Sequence, residues 1–576
     1  MTRNHPALRK SVSNVDLYSD PSPPPQHASL SRAYTTVHRQ RSNPFALPRG
    51  PRQRPAGSHS TAGQFADLID LVENVTNATA PAPQNPPPVP PKVKLPVAPQ
   101  QAVQAERKSN DPIQYAKPFC EYLTNNPTVF HAVDAVAKDL EATGYSKLSE
   151  RDSWKLKKGG KYYVERNGSS LIAFAIGEGY EPGNGAAILA GHVDALTAKL
   201  KPIPKLKTKA GYVQLGVAPY AGALNSTWWD RDLGVGGRVM VKEGNKIVSK
   251  LVKLDWPIAR IPTLAPHFGA AAQGPFNKET QMVPIIGLDN SDIEGTEENW
   301  KPALLGGEGT FTSTQPERLV KAISNELGIT DYSKIINWEL ELFDTQPAQL
   351  GGLSKEFIFA GRIDDKLCSW SAIQALINST SSSALSSSSG IKIVGLFDDE
   401  EIGSLLRQGA RGNFLPTVIE RVVDSFADKG ITSLVSRTYA NSFLVSSDVT
   451  HAVNPNFLNA YLENHSPRLN VGLSVSCDSN GHMTTDSVST SILQRCAEKG
   501  GAKLQVFQIR NDSRSGGTVG PMLSAKTGIR AIDAGIPQLS MHSIRATTGA
   551  LDPGLGVQAF EAFLQHFESV DAEFRE

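Results

Sequence analysis

Cysteine is scarce in this chain. Its 576 residues hold four, Cys120, Cys368, Cys477 and Cys496, and no two form a CxxC pair. Scattered thiols argue against a disulfide frame and fit a reducing compartment or inert buried positions. Long apolar runs are missing too. None approaches the ~18 residues that a membrane span needs, so no span is expected. Basic residues near the N-terminus are followed by no apolar stretch, so no secretory signal is expected either. The sequons Asn74-Val-Thr76 and Asn77-Ala-Thr79 then read as chance matches. Net charge is only +1, and beyond residue 110 there is no basic stripe, so no nucleic-acid partner is expected.

What is present is unevenly spread. Residues 1–110 carry 13 Lys and Arg against 6 Asp and Glu, together with 18 of the 39 prolines. The rest of the chain is left at −6. A segment so poor in apolar side chains cannot offset its ordering entropy, so 1–110 is read as a disordered, basic extension. One stretch departs from that pattern. Phe65, Leu68, Ile69, Val72 and Val75 follow helical spacing across 61–77, which predicts a short amphipathic helix, either a docking element or a transient one. The prolines from Pro81 to Pro99 form an extended linker.

A chain this long is expected to hold two or three domains. Order begins near Asp111. The pattern predicts a helix over 127–143 and strands over 162–164, 171–176 and 186–191. Further strands are read at 357–363, 391–397, 443–446, 504–509 and 538–541, with helices at 366–378 and 486–498 between several of them. Strands alternating with helices imply an α/β sandwich on a mixed, largely parallel sheet. Residues 205–350 are richer in Gly, Pro and polar side chains and read as an inserted domain. The catalytic domain is then 111–204 with 351–576.

Four consecutive carboxylates, Asp398-Asp399-Glu400-Glu401, follow the apolar run Ile391–Phe397. Like charges this close raise one another's pKa values unless a cation neutralises them. The economical reading is a metal site with one carboxylate left over as a base. His192 and Asp194 follow 186–191, Asp364 and Asp365 follow 357–363, Asp448 follows 443–446, and His542 follows 538–541. Each alone reads as a helix cap, a turn residue or a hydrogen-bonded imidazole. Together they recur at the carboxyl ends of strands, where open α/β sheets build sites. Imidazole and carboxylate without thiolate suit zinc, manganese or cobalt. Five or more donors exceed one tetrahedral ion and fit two ions that share a carboxylate. Adjacent residues of a strand point opposite ways, so Glu400 and Glu401 divide into one ligand and one base.

These motifs resemble the metalloaminopeptidase family of aspartyl aminopeptidase and vacuolar aminopeptidase I, over nearly all of 111–576. The resemblance rests on Gly191-His-Val-Asp-Ala-Leu-Thr-Ala-Lys-Leu-Lys-Pro202, Trp229-Asp-Arg-Asp-Leu-Gly234 and Arg362-Ile-Asp-Asp-Lys-Leu-Cys368. It continues in Asp399-Glu-Glu-Ile-Gly-Ser404, Ser447-Asp-Val-Thr-His-Ala452, Ser513-Arg-Ser-Gly-Gly-Thr518 and Met541-His-Ser-Ile-Arg545. It implies a dinuclear zinc exopeptidase. Asp364 would bridge the two ions, His192 and Asp448 would complete one shell, and Glu401 and His542 the other. Glu400 would be the general base, and Asp194 would orient His192. His267 would serve the substrate site, across a subunit interface. The family also implies an inserted oligomerisation domain and a dodecamer. Its vacuolar branch implies assembly in the cytoplasm and delivery to the vacuole, with a selective-autophagy receptor acting on the N-terminal extension as a propeptide. The alternative location is cytoplasmic.

Two departures stand out. The bridging motif reads Asp364-Asp365 where many relatives have Asp-Asn. Ser474 stands where aspartyl aminopeptidases are expected to carry a lysine. A pocket without that cation leaves a substrate carboxylate unpaired, a costly state once desolvated. Neutral, Leu-like N-terminal residues are therefore expected over acidic ones, with an aspartyl aminopeptidase as the alternative. Ser515-Gly516-Gly517-Thr518 lacks the lysine of a phosphate-binding loop, and Gly516 and Gly517 are read as backbone shaping the substrate cleft. Trp228-Trp229 reads as packing, His451 as a neighbour of the metal shell, and His465 and His482 as structural. A non-catalytic assembly or cargo protein and a dinuclear deacylase are the other readings.

Overall fold

A computed structural model describes residues 111–290, 305–428 and 432–574. The extension 1–110, with its expected helix at 61–77, lies outside the described residues.

A nine-stranded sheet organises the catalytic part. Its spatial order is Ser146–Leu148, Lys161–Arg166, Ser170–Ile176, Ile391–Phe397, Ala186–His192, Phe443–Ser446, Arg530–Gly535, Leu473–Cys477 and Leu504–Gln508. The four strands at its centre, Ile391–Phe397 to Arg530–Gly535 in that order, run parallel. Antiparallel pairings flank them on both sides. The sheet is mixed and largely parallel, as expected.

Alternation along the strands divides the core in two. Leu189, Val394, Val445 and Ile532 face one way and pack with Phe119, Val133, Leu376, Ile492 and Phe563. These come from helices Ala116–Asn125, Val129–Ala142, Ile363–Asn378, Ser487–Gly500 and Asp552–Asp571. Ile188, Ile393, Leu444 and Ala531 face the other way, against Val418 and Leu523 of helices Phe414–Phe426 and Val519–Thr527. The result is a three-layer α/β sandwich. Local chemistry starts and stops the helices. Asp486 and Ser489 form a reciprocal capping box ahead of Ser487–Gly500, and Gly501 in the left-handed region ends that helix.

A second, six-stranded sheet is antiparallel throughout. Its order is Lys246–Lys253, Leu233–Glu243, Ile335–Asp344, Thr197–Lys205, Tyr212–Tyr220 and Ile285–Leu288. Leu319, Val320 and Ile323 of helix Glu317–Glu326 complete its core with Trp228. Its first strand opens at Thr197, ahead of the boundary expected at 205.

Two expected strands end early. The one expected at 357–363 stops at Ala360, because Arg362 takes the left-handed region and helix Ile363–Asn378 begins. The one expected at 538–541 is the two-residue strand Pro537–Gln538. There Leu539 turns to bridge Thr547, and Ser540 and His542 both have φ of 62°. Neither strand belongs to the nine-stranded sheet. Phe357–Ala360 lies in a three-stranded sheet with Gln349–Gly351 and Ala546–Gly549, and Pro537–Gln538 pairs with Thr450–His451.

Candidate metal centre

Three of the site's segments leave adjacent strands of the main sheet. His192 is the last residue of its strand and sits in register with Phe397, so the 398–401 turn starts beside it. Asp448 lies two residues beyond Ser446 on the other neighbour. Two glycines permit this closeness. A Cβ on Gly535 would lie 1.4 Å from the Asp448 carbonyl oxygen, and one on Gly191 would lie 2.7 Å from both Asp365 Oδ2 and the Ser447 carbonyl. Asp364 and His542 enter from the smaller sheets. The five expected positions therefore converge from three sheets, not from one sheet edge.

Asp364 stands between the two histidines. Its Oδ1 is 3.3 Å from His192 Nε2, and its Oδ2 is 3.5 Å from His542 Nε2. Asp448 Oδ1 is 3.6 Å from His192 Nε2, and Glu401 Oε2 is 3.5 Å from His542 Nε2. Glu400 Oε2 lies 3.8 Å from His192 Nε2. The tandem glutamates occupy a short 3-10 turn rather than an extended strand, with Asp399 left-handed ahead of them. That turn, not strand alternation, sends Glu400 toward His192 and Glu401 toward His542.

Asp194 holds this arrangement from behind. Its Oδ1 is 3.1 Å from His192 Nδ1 and accepts the Glu400 N–H. Its Oδ2 accepts the Tyr220 hydroxyl at 2.7 Å and the Glu401 N–H. Burial would raise the Asp194 carboxyl, but His192, Tyr220 and the Glu401 N–H outweigh it and hold it below its usual range. Asp365 is fully buried and accepts the backbone N–H groups of His192 and Val449, tying two strand ends. Burial, then Asp448, push its carboxyl well above the usual range. It satisfies two donors at the position where the resemblance expected asparagine.

The electrostatics fit a bound cation. Burial, then the charges of Asp448, Asp194 and Asp364, raise Glu400 to about 8 against the pull of His192. Burial and Asp364 push Glu401 well above its usual range, and burial raises Asp448. Glu401 Oε1 is buried with no hydrogen-bond partner among the described residues. An oxygen lone pair left open beside two imidazoles is what a metal ligand needs. Two overlapping groups, His192–Asp364–Glu401 and His192–Glu400–Asp448, each bring their donor atoms within 4.8 Å of one another.

Comparison with known proteins places this chain with a zinc-dependent family. Residues 122–564 match the family described as aminopeptidase I zinc metalloprotease, M18. This chain belongs to the M18 family. Vacuolar aminopeptidase 1 of Saccharomyces cerevisiae is 45% identical over 470 residues, covering 80% of this chain and 90% of the relative. The structure of mApe1 from Chaetomium thermophilum is 56% identical with a TM-score of 0.74, covering 81% of this chain and all of that one. The Saccharomyces cerevisiae mApe1 dodecamer is 40% identical with a TM-score of 0.70, covering 81% and 99%.

An open cavity of about 370 Å³ adjoins the centre of this M18 chain. Gly516 and Gly517 line it, beside Met483, Phe507, Ile509 and Met541, and His451 lies in its wall with its ring 5.6 Å from Phe507. Ser474 does not line it. That residue is fully buried in its strand, and Ser476, two residues on along the same face, reaches the cavity instead. His267 lies in the exposed turn Pro266–Ala272, away from the cavity lining.

Asp533 escaped the sequence reading. It is 1% exposed on the central strand Arg530–Gly535. Its Oδ1 accepts the Thr518 hydroxyl at 2.5 Å, and its Oδ2 accepts the Thr484 N–H at 2.5 Å and hydroxyl at 2.7 Å. One carboxylate thereby ties both loops of the cavity wall, Met483–Thr484 and Gly516–Thr518. A lone Asp in an apolar strand gives no sign of loop partners 15 and 49 residues away. Asp533→Asn cannot accept all three donors. Steady-state kinetics on a leucine anilide should show KM rising about tenfold, the scale of one charge-assisted hydrogen bond, with kcat falling much less. An unchanged KM would show that the loops hold their shape without it.

Proposed function

We propose that this M18 enzyme uses two zinc ions per subunit to remove neutral, Leu-like residues from the N-terminus of peptides. One observation carries the dinuclear reading: the two oxygens of Asp364 face two different histidines, each with its own second carboxylate. His192, Asp448 and Asp364 would hold one ion, and Asp364, Glu401 and His542 the other. When bound, such a pair polarises a peptide carbonyl and lowers the pKa of water.

The chain's own groups supply the rest. Asp194 accepts from His192 Nδ1 and leaves Nε2 free to face the centre. Glu400 lines the cavity and is the donor that the two three-residue shells leave over. It takes a proton from the attacking water and returns it to the leaving amine. The substrate's free α-amine would bind beside the second metal position and its neighbouring carboxylates, which limits cleavage to the first residue. Met483, Phe507, Ile509, Met522 and Met541 offer the side chain an apolar wall, and among the described residues no Lys or Arg lines the cavity. An acidic side chain would enter without a counter-charge.

Assembly and delivery belong to the same proposal. The similar mApe1 dodecamer supports a dodecamer here, with the second sheet serving subunit contacts and His267 serving the substrate site across such an interface. The extension 1–110 would carry a receptor-recognised propeptide that takes the enzyme from the cytoplasm to the vacuole.

Glu400→Gln should lower kcat by about 10²- to 10⁴-fold, the range for a lost general base, with two zinc ions per chain still found by mass spectrometry. Near-normal turnover would remove Glu400 from the role. Across a panel of aminoacyl anilides, leucine should exceed aspartate in kcat/KM. A preference for aspartate would instead favour the aspartyl aminopeptidase alternative. Deleting residues 1–80 should leave a tagged enzyme in the cytoplasm, and continued vacuolar imaging would exclude the extension as the address.

A further inference from the structure

His542 is the odd member of the centre. Its side chain is 54% exposed, whereas those of His192, Asp364, Glu401 and Asp448 are at most 14% exposed. Packing does not fix its ring, so its position depends on the backbone that carries it. That backbone is a turn at positive φ, closed by Ser543 N–H to Ser540 C=O.

The turn is gripped from the second sheet. Asn225 Nδ2 donates to the His542 carbonyl at 2.9 Å, and Ile544 N–H donates to Thr227 Oγ1 at 2.9 Å. Both partners belong to one short turn. Asn225 caps it by accepting from Thr227 N–H and hydroxyl, and Trp228, 1% exposed, anchors it in the second sheet's core. Ile544 packs against that same core. Arg545 adds an ion pair at 2.9 Å to Asp344 of the second sheet. Three contacts, at 542, 544 and 545, thus fix the loop from one side.

We infer that Asn225 and Thr227 are positioning residues that set the affinity of the metal position formed by His542 and Glu401. The inference rests on the dinuclear reading above. Groups that orient a metal ligand are worth roughly 10- to 100-fold in affinity. The second sheet is then part of the metal centre as well as a surface for assembly. Its disturbance should empty one metal position and leave the other filled.

Thr227→Val removes the acceptor for Ile544 N–H at nearly constant volume, and Thr227→Ser keeps it. Asn225→Asp keeps the cap but sets an oxygen against the His542 carbonyl. Full-length enzyme dialysed against a graded chelator would be read by zinc stoichiometry and, after cobalt exchange, by visible absorption. Thr227→Val and Asn225→Asp should each lose one of two ions at about tenfold lower chelator strength than wild type. Thr227→Ser should match wild type. Should Thr227→Val fail to fold, Asn225→Asp decides. Two ions held with wild-type affinity and an unchanged cobalt spectrum in a folded variant would overturn the inference. A wild-type enzyme holding one ion would instead sink the dinuclear reading itself.

Discussion

The Asp194 carboxylate is the interaction on which the site depends. Two oxygens meet four groups: the His192 imidazole, the Tyr220 hydroxyl and the N–H groups of Glu400 and Glu401. One side chain thereby fixes the direction of an imidazole, the turn that splits the tandem glutamates, and the approach of strand Tyr212–Tyr220 from the second sheet. Tyr220 could not play this part from the main sheet, whose central strands are covered by helices on both faces. The second sheet is placed where its strand end reaches the back of the first. With its four partners in place, the buried carboxylate stays charged, and an oriented negative charge behind His192 strengthens it as a donor to a cation.

Much of this was legible in the chain. The run Ile391–Phe397 is a fully buried strand with the expected bounds, because β-branched and aromatic residues hemmed by a Gly and an acidic turn allow little else. His192 ends the strand beside it, and Asp448 follows the strand one further along, because a parallel sheet aligns its carboxyl ends. Asp364 and His542 are expected at strand ends of the main sheet, and the structure carries them on other scaffolds. Apolar residues at 357–363 and 538–541 imitate strands, and only backbone geometry at Arg362, Ser540 and His542 shows the chain turning. Periodicity reports which side chains are apolar, and it does not report a left-handed φ at a non-glycine residue.

What stayed hidden is contact across long separations. Asn225 and His542 are 317 residues apart, and neither carries a local signature of the other. Ser474 and Ser476 illustrate the same limit at short range. Both face one side of their strand, but only the residue nearer the sheet edge reaches the cavity. Strand alternation gives the face, while the depth along the strand comes from where the neighbouring strands end.

The crowding that first marked the site also explains why the fold tolerates it. Asp364, Glu400, Glu401 and Asp448 gather around two imidazoles with few local cations, and burial pushes three of the four carboxyls upward. Like charges gathered this closely repel unless a cation neutralises them. A bound metal cation would turn that repulsion into shared attraction, so metal binding and the stability of the site are one equilibrium. The burden is not evenly distributed. His192 is locked by Asp194 inside the core, whereas His542 depends on a loop held from another sheet. The two histidines therefore draw on different parts of the fold, and a strain on the contact between the sheets acts on His542 before His192.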